Sequence, residues 1–246
     1  MQKILLLLLC ASIGILLACT WYFHASIYWK LGTANLHQPT DFTDYTIGTH
    51  SAPQLVYAAI GDSLTAGVGV DTYLHSYPYL LAQKIAGDTK KVLLKPFAVP
   101  GVRSAYVLNN FIEPVVASKP DVITLFIGIN DIHGNVSLKQ FQKNYEEILT
   151  KLTTKTNAKV YVINLPYIGT PNLISLPYRY YFNWRTQQYN EVIQKLTTQY
   201  HVTYVDLYTQ HKQNSLHNEY YAADFFHPNA LGYSLWAKFI YASFSQ

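Results

Sequence analysis

Hydrophobic residues fall along this chain in blocks. Ile4 to Phe23, ILLLLLCASIGILLACTWYF, carries no charge. At about 1.5 Å per residue a helix of that length covers the roughly 30 Å hydrocarbon core of a bilayer. Residues 25–53 mix aromatics with Thr, Asp, Gly and His without helical or alternating period, and read as a juxtamembrane linker. From Gln54 the pattern turns regular. Leu55–Ile60 is a short apolar run of buried-strand type, and Ser76-Tyr77-Pro78 opens a helix with proline in its first turn. Lys91–Val99 is a second strand, and Pro100-Gly101-Val102-Arg103-Ser104 turns into a helix reaching about Ser118. Val122–Ile127 is continuously apolar and β-branched, as a parallel strand buried on both faces would be, and ends in Gly128-Ile129-Asn130-Asp131. Ser137 with Gln140 forms a capping box ahead of a stripe of Phe141, Tyr145, Ile148, Leu149 and Leu152. Val160–Leu165 and Val202–Leu207 are further strands. Between them a helix capped by Asn183 runs to about Tyr200, and Leu231, Leu235, Trp236, Phe239 and Ile240 mark a terminal helix.

Strands alternating with helices at this spacing predict an α/β fold, a single doubly wound parallel sheet flanked by helices and preceded by an N-terminal hydrophobic helix. The expected division is a membrane anchor or signal segment over 1–24, a linker over 25–53 and one catalytic-size domain over 54–246. Half of the 246 residues are hydrophobic, enough for one full core. The net charge of +4 comes from 18 basic and 14 acidic residues scattered without runs, which argues against a nucleic-acid partner. Both cysteines, Cys10 and Cys19, precede residue 20, so the remainder offers no disulfide framework, zinc site or thiol nucleophile.

Lys3 before the apolar run and Trp21-Tyr22-Phe23 at its end fit a spanning helix with a cytoplasmic N-terminus and an exported body. Leu16-Leu17-Ala18-Cys19 also resembles a lipoprotein cleavage site, and a cleaved signal peptide is the third alternative.

The chemistry concentrates where strands end. A hydrophobic strand runs into Gly61-Asp62-Ser63, placing a hydroxyl at a strand-to-helix turn, where ligands of open α/β sheets bind. Taken alone this also fits an ordinary N-cap serine. Near the other end, Asp224-Phe225-Phe226-His227 sets a carboxylate three residues before an imidazole, close enough to pair within one turn. Serine catalysis needs that pairing, because an imidazole must take the serine proton and a carboxylate must hold the imidazole.

Gly61-Asp62-Ser63-Leu64, Gly101, Gly128-Ile129-Asn130-Asp131 and Asp224-Phe225-Phe226-His227 occur in the order and rough spacing of the four motif blocks of the GDSL or SGNH hydrolases. The chain resembles that family over about residues 55–246, most of all its small bacterial lipase/acylhydrolase and lysophospholipase or thioesterase members. The resemblance implies a flavodoxin-like sheet, Ser63 as nucleophile, His227 as general base and Asp224 as its orienting carboxylate. It also implies an oxyanion hole made by the Ser63 and Gly101 amides and the Asn130 side chain, and no cofactor.

Taken singly, Asn130-Asp131 is also an Asx turn and Gly101 a positive-φ glycine. Asp62 reads as a turn-holding hydrogen bonder. The other eight histidines, His133 included, have no partner at catalytic or metal-ligand spacing and read as surface or linker residues, so no metal site is expected. The stretch Tyr167–Phe182 is unusually apolar for a connection. Ile168, Leu173, Ile174 and Tyr178 within it are candidates for an acyl-binding wall, the alternative being a loop folded onto the core or against the membrane. The expected function is a membrane-tethered, extracytoplasmic serine esterase acting on lipid, lysophospholipid or small acyl esters. An O-acyltransferase or de-O-acetylase of surface carbohydrate, and a non-catalytic binding module, are the rival readings.

Overall fold

The computed structural model describes residues 2–33, 36–48, 53–87, 90–168, 170 and 172–245. Helix α1 (Gln2–Thr33) carries the apolar run and continues past it. Strand β1 (Tyr45–Gly48) follows, then β2 (Gln54–Gly61), a single turn α2 (Ser63–Ala66), α3 (Tyr77–Ala86) and β3 (Lys91–Ala98). Next come α4 (Ser104–Asn110), α5 (Ile112–Ala117), β4 (Val122–Phe126), α6 (Ile129–His133), α7 (Leu138–Lys155) and β5 (Lys159–Ile163). The chain closes with α8 (Tyr178–Gln199), β6 (Thr203–Val205), α9 (Leu207–Asn214) and α10 (Ala230–Ala242).

The six strands lie in the order β1-β3-β2-β4-β5-β6. All pairs are parallel except β1 with β3. Counting only the parallel strands, the spatial order is second, first, third, fourth, fifth, the flavodoxin-like arrangement whose direction reverses between the first and third. Here that reversal lies between β2 and β4, so the loops after these two strands flank the crevice where such sheets bind ligands.

Alternation along the strands builds two cores. Ala58, Ile60, Ile123, Leu125, Val160 and Val162 face α4, α5, α7 and α8, while Tyr57, Ala59, Val92, Leu94, Tyr161 and Ile163 face α3 and α10. With a period of two, neighbouring residues of one strand serve opposite layers.

Several expectations change. The span read as a linker contributes an edge strand, β1. Next to it, Asp41 accepts bonds from the Tyr73 amide at 2.8 Å and the Thr72 hydroxyl at 2.6 Å. His37 O accepts from the Gly69 amide at 2.9 Å. This four-residue strand on the sheet edge alternates only between half-buried and exposed positions, so it has no fully buried face for the sequence to mark. The helix expected from 104 to 118 is broken at Phe111, because Pro114 has no amide for Asn110 O and its ring crowds that carbonyl. Asn183 does not cap α8: the helix starts one and a half turns earlier, and Asn183 inside it accepts a hydrogen bond from the Tyr208 hydroxyl. At α7 half of the expected capping box forms, Ser137 Oγ accepting from the Gln140 amide at 3.2 Å, while the Gln140 side chain turns forward to Asn144.

Candidate active site

Strand β2 delivers the serine. Gly61 ends it where a Cβ would stand 2.6 Å from Phe126 O on β4, so only glycine lets the two strand ends come together. Asp62 then caps α2, its Oδ1 accepting from the Leu64 amide at 3.1 Å. Ser63 is thereby fixed as the first residue of the turn, with 7% of its surface exposed.

The partner loop precedes α10. Ser63 Oγ and His227 Nε2 are 2.9 Å apart, and His227 Nδ1 and Asp224 Oδ2 are 2.6 Å apart. Asp224 Oδ1 also accepts from the Phe226 and His227 amides, both at 3.0 Å. Phe225 makes this turn possible by adopting φ +57°, and Thr170 Oγ1 donates to its carbonyl at 2.9 Å. Behind the loop, Ala222 N donates to His227 O at 2.8 Å, and Asn229 caps α10. Asp224 is fully buried, which pushes its carboxyl up, but the hydrogen bond and charge of His227 and the two amides outweigh burial and hold it below the usual carboxylate range. It stays ionised against the imidazole.

The β4 end supplies the third side. Gly128, at φ +136°, turns the chain into α6, and Asn130 Nδ2 donates to Asp62 Oδ2 and to Val102 O, each at 3.1 Å. Val102 follows Gly101, itself at φ +80°, so the loop after β3 is tied to the same amide. Buried Asp131 anchors that loop, accepting from the Ser104 amide at 2.9 Å and the Ser104 hydroxyl at 2.5 Å. Ser104 Oγ in turn accepts from Asn144 Nδ2 at 2.9 Å. Burial, helped by the Asp131 charge, pushes the Asp62 carboxyl up to about 7 despite the bonds from Leu64 and Asn130.

The profile of the GDSL-like Lipase/Acylhydrolase family matches residues 59–235, more than half of the chain. The chain belongs to this family. As a GDSL-like lipase/acylhydrolase it is an ester-cleaving hydrolase. It is 30% identical over 219 residues to the uncharacterized protein YpmR of Bacillus subtilis (strain 168), covering 80% of this chain and 84% of that protein. It is 26% identical over 200 residues to the spore germination lipase LipC of Bacillus licheniformis, covering 73% of this chain and 91% of LipC. The crystal structure of the lipase/acylhydrolase from Enterococcus faecalis shares the fold, with a TM-score of 0.63 at 24% identity over 76% of this chain and 94% of that one.

In this GDSL-like hydrolase the expected site residues meet unevenly. Ser63, His227 and Asp224 form one hydrogen-bonded line, and Asn130 and the Gly101 loop sit beside it through Asp62 and Val102. Of the proposed acyl wall, Ile168 and Leu173 line a small cavity with Leu64, Phe225 and Phe226, to which Tyr167, Thr170, His211 and Tyr221 also contribute. Ile174 is buried in the core instead, and Tyr178 stacks on Phe23 of α1. His133 keeps an exposed edge, but its ring packs against Phe182 and Phe226, and burial, with the His227 ring nearby, pushes it down to about 4. His211 corrects the expectation of surface histidines: it is buried, with Nε2 2.9 Å from the Tyr221 hydroxyl, and burial pushes it down to about 4, so it is neutral. Among the described residues no three His, Cys, Asp or Glu side chains gather as a metal site would require.

Ser104 and Asn144 were missed as site supports. The available signal was Asn144 itself, a polar residue on the apolar stripe of α7.

Proposed function

We propose that the chain hydrolyses carboxylic esters through an acyl-enzyme on Ser63. His227 Nε2 takes the hydroxyl proton as Ser63 Oγ attacks the ester carbonyl, then returns it to the departing alcohol; water repeats the exchange and frees the acid. Asp224 holds the imidazole with Nδ1 protonated and stabilises the charged ring. The observation that carries this reading is the unbroken contact from Ser63 Oγ through His227 to Asp224.

The oxyanion is received by the Ser63 and Gly101 amides and the Asn130 side chain. Ser63 N belongs to the first turn of α2, where amides have no helical acceptor. Asn130 Nδ2 donates to Asp62 and to Val102, and the oxyanion competes for one of these bonds. Each such donor is worth about 3 kcal/mol.

The cavity beside Leu64 supports an acyl chain over an alcohol of sugar type, because most of its lining named above is hydrocarbon or aromatic. LipC, a lipase by name, points the same way. The apolar helix residues Gln2–Ala25 are long enough to cross a bilayer and support an extracytoplasmic, membrane-tethered domain over 54–246, with residues 37–48 strapped onto it. Lipidation at Cys19 or cleavage and secretion remain the alternatives for that helix.

A fluorophosphonate probe tests the nucleophile. It should label wild-type protein at Ser63 and leave Ser63→Ala unlabelled. Failure to label a protein that turns over p-nitrophenyl esters would remove the acyl-enzyme reading.

A further inference from the structure

We infer that the outward face of α8's first turns is a membrane-contact surface, seated in the headgroup region of the bilayer that α1 enters. The inference rests on the membrane reading of α1 given above and extends it to the body of the enzyme. Leu176, Tyr180, Tyr181 and Trp184 are 52%, 69%, 49% and 53% exposed. Among the described residues outside α1, no other stretch of this length exposes four large hydrophobic side chains. At about 100° per residue, Tyr180, Tyr181 and Trp184 share one arc of α8. Thr186, Tyr189, Ile193 and Leu196 occupy the opposite, buried side.

What covers this face follows from its attachment. Phe23, near the end of the 24-residue apolar span, is the one buried residue of that span's last turn and stacks on Tyr178 with ring centroids 3.5 Å apart and planes at 13°. Phe182 lies 6.3 Å from the same ring. A helix that crosses roughly 30 Å of hydrocarbon leaves it close to its Trp21-Tyr22-Phe23 end. The first turns of α8 are therefore held at that depth, where tyrosine and tryptophan rings with one apolar body and one polar tip are at home. The charge fits as well: Asn172 to Asn190 includes Arg179 and Arg185 and no acidic residue, as anionic headgroups favour.

The contact brings the reaction to the lipid. Phe182 packs at 6.1 Å on His133, His133 at 5.8 Å on Phe226, and Phe226 edge-on at 4.8 Å on His227. Three ring contacts separate the proposed membrane level from the proposed base. The substrate class that suits this geometry is an acyl ester of an amphiphile resident in the same leaflet.

Full-length protein with Cys10→Ser and Cys19→Ser, reconstituted into phosphatidylethanolamine and phosphatidylglycerol vesicles, provides the test. Spin labels are placed singly by Trp184→Cys, Tyr180→Cys, Leu8→Cys and, on the far layer, Gln83→Cys, and collision with oxygen and with a nickel chelate is compared. Labels at 184 and 180 should collide with nickel several-fold less than the label at 83 and read a depth near the headgroups, with the label at 8 deeper. If the label at 8 is deep while 184 and 180 match 83, the contact surface is wrong and the anchor stands. A label at 8 exposed to nickel defeats the anchor and this surface together.

Discussion

Asp62 Oδ2 accepts a hydrogen bond from the Asn130 side-chain amide at 3.1 Å, so the residue before the proposed nucleophile also orients a proposed oxyanion donor in α6, beyond the end of β4. Its other oxygen caps α2. An asparagine at 62 has one acceptor oxygen for these two donors. Asp62→Asn should lower kcat by about tenfold or more with a smaller change in KM, since one oxyanion donor is worth roughly 3 kcal/mol when lost outright. Equal kcat in the variant would show that Asp62 is only a cap.

The same carboxyl makes a stability forecast. Its folded pKa is raised from 3.8 to about 7 by burial, so between those values the native state holds a proton that the unfolded state has released. This group therefore favours folding below about pH 4 and loses that contribution as pH rises towards 7, a swing on the order of a few kcal/mol. Asp224, with its pKa lowered, acts in the opposite sense and weakens the fold only as pH drops below the carboxylate range. Thermal melts from pH 4 to 8 should show a flatter profile for Asp62→Asn than for wild type.

Ser63, His227 and Asp224 should behave as one unit. Ser63→Ala and His227→Ala should each lower kcat by several orders of magnitude, and the double variant should be little worse than either. Asp224→Asn, which keeps the shape but favours the wrong imidazole tautomer, should cost on the order of 10³- to 10⁴-fold. Single-turnover rates on a p-nitrophenyl ester measure all four proteins; additive losses would break the unit apart.

If the cavity beside Leu64 receives the acyl chain, Ile168→Phe should shorten the preferred chain. Each methylene excluded forfeits about 0.8 kcal/mol, close to fourfold in kcat/KM. An ester panel from acetate to decanoate should show the loss growing with chain length. A uniform loss would mean that the substitution disturbs the loop and not a chain-binding wall.

Removing residues 1–24 should leave a less stable protein than removing residues 1–18, because only the longer truncation uncovers Tyr178 and Phe182 by taking away Phe23. Phe23→Ala in the full chain should lower the melting temperature in the same direction.

Much of this was legible from residue types alone. β2, β3 and β4 end within one residue of where their apolar runs meet glycine or proline, and the serine, aspartate and histidine are marked because each follows such a break or keeps a three-residue spacing. What could not be read were contacts between distant pieces. Nothing local marks Asn130 as the partner of Asp62, or Phe23 as part of the core, since both depend on where a remote element lands. The edge strand Tyr45–Gly48 was hidden for another reason: its pairing is made by backbone groups, and its side chains alternate only between half-buried and exposed. Asn183 misled because a good cap residue also serves inside a helix when another side chain, here Tyr208, satisfies it.

The two atoms that meet at Ser63 and His227 belong to residues 164 positions apart. Closing so long a loop carries an entropy cost that contacts within the histidine loop alone cannot offset, and that loop is held by Asn229, the N-cap of α10. A chain emerging from the ribosome thus carries Ser63 long before the proposed base, 164 positions further on, has been made. The proposed site is therefore complete only once α10 docks and carries the histidine loop to Ser63.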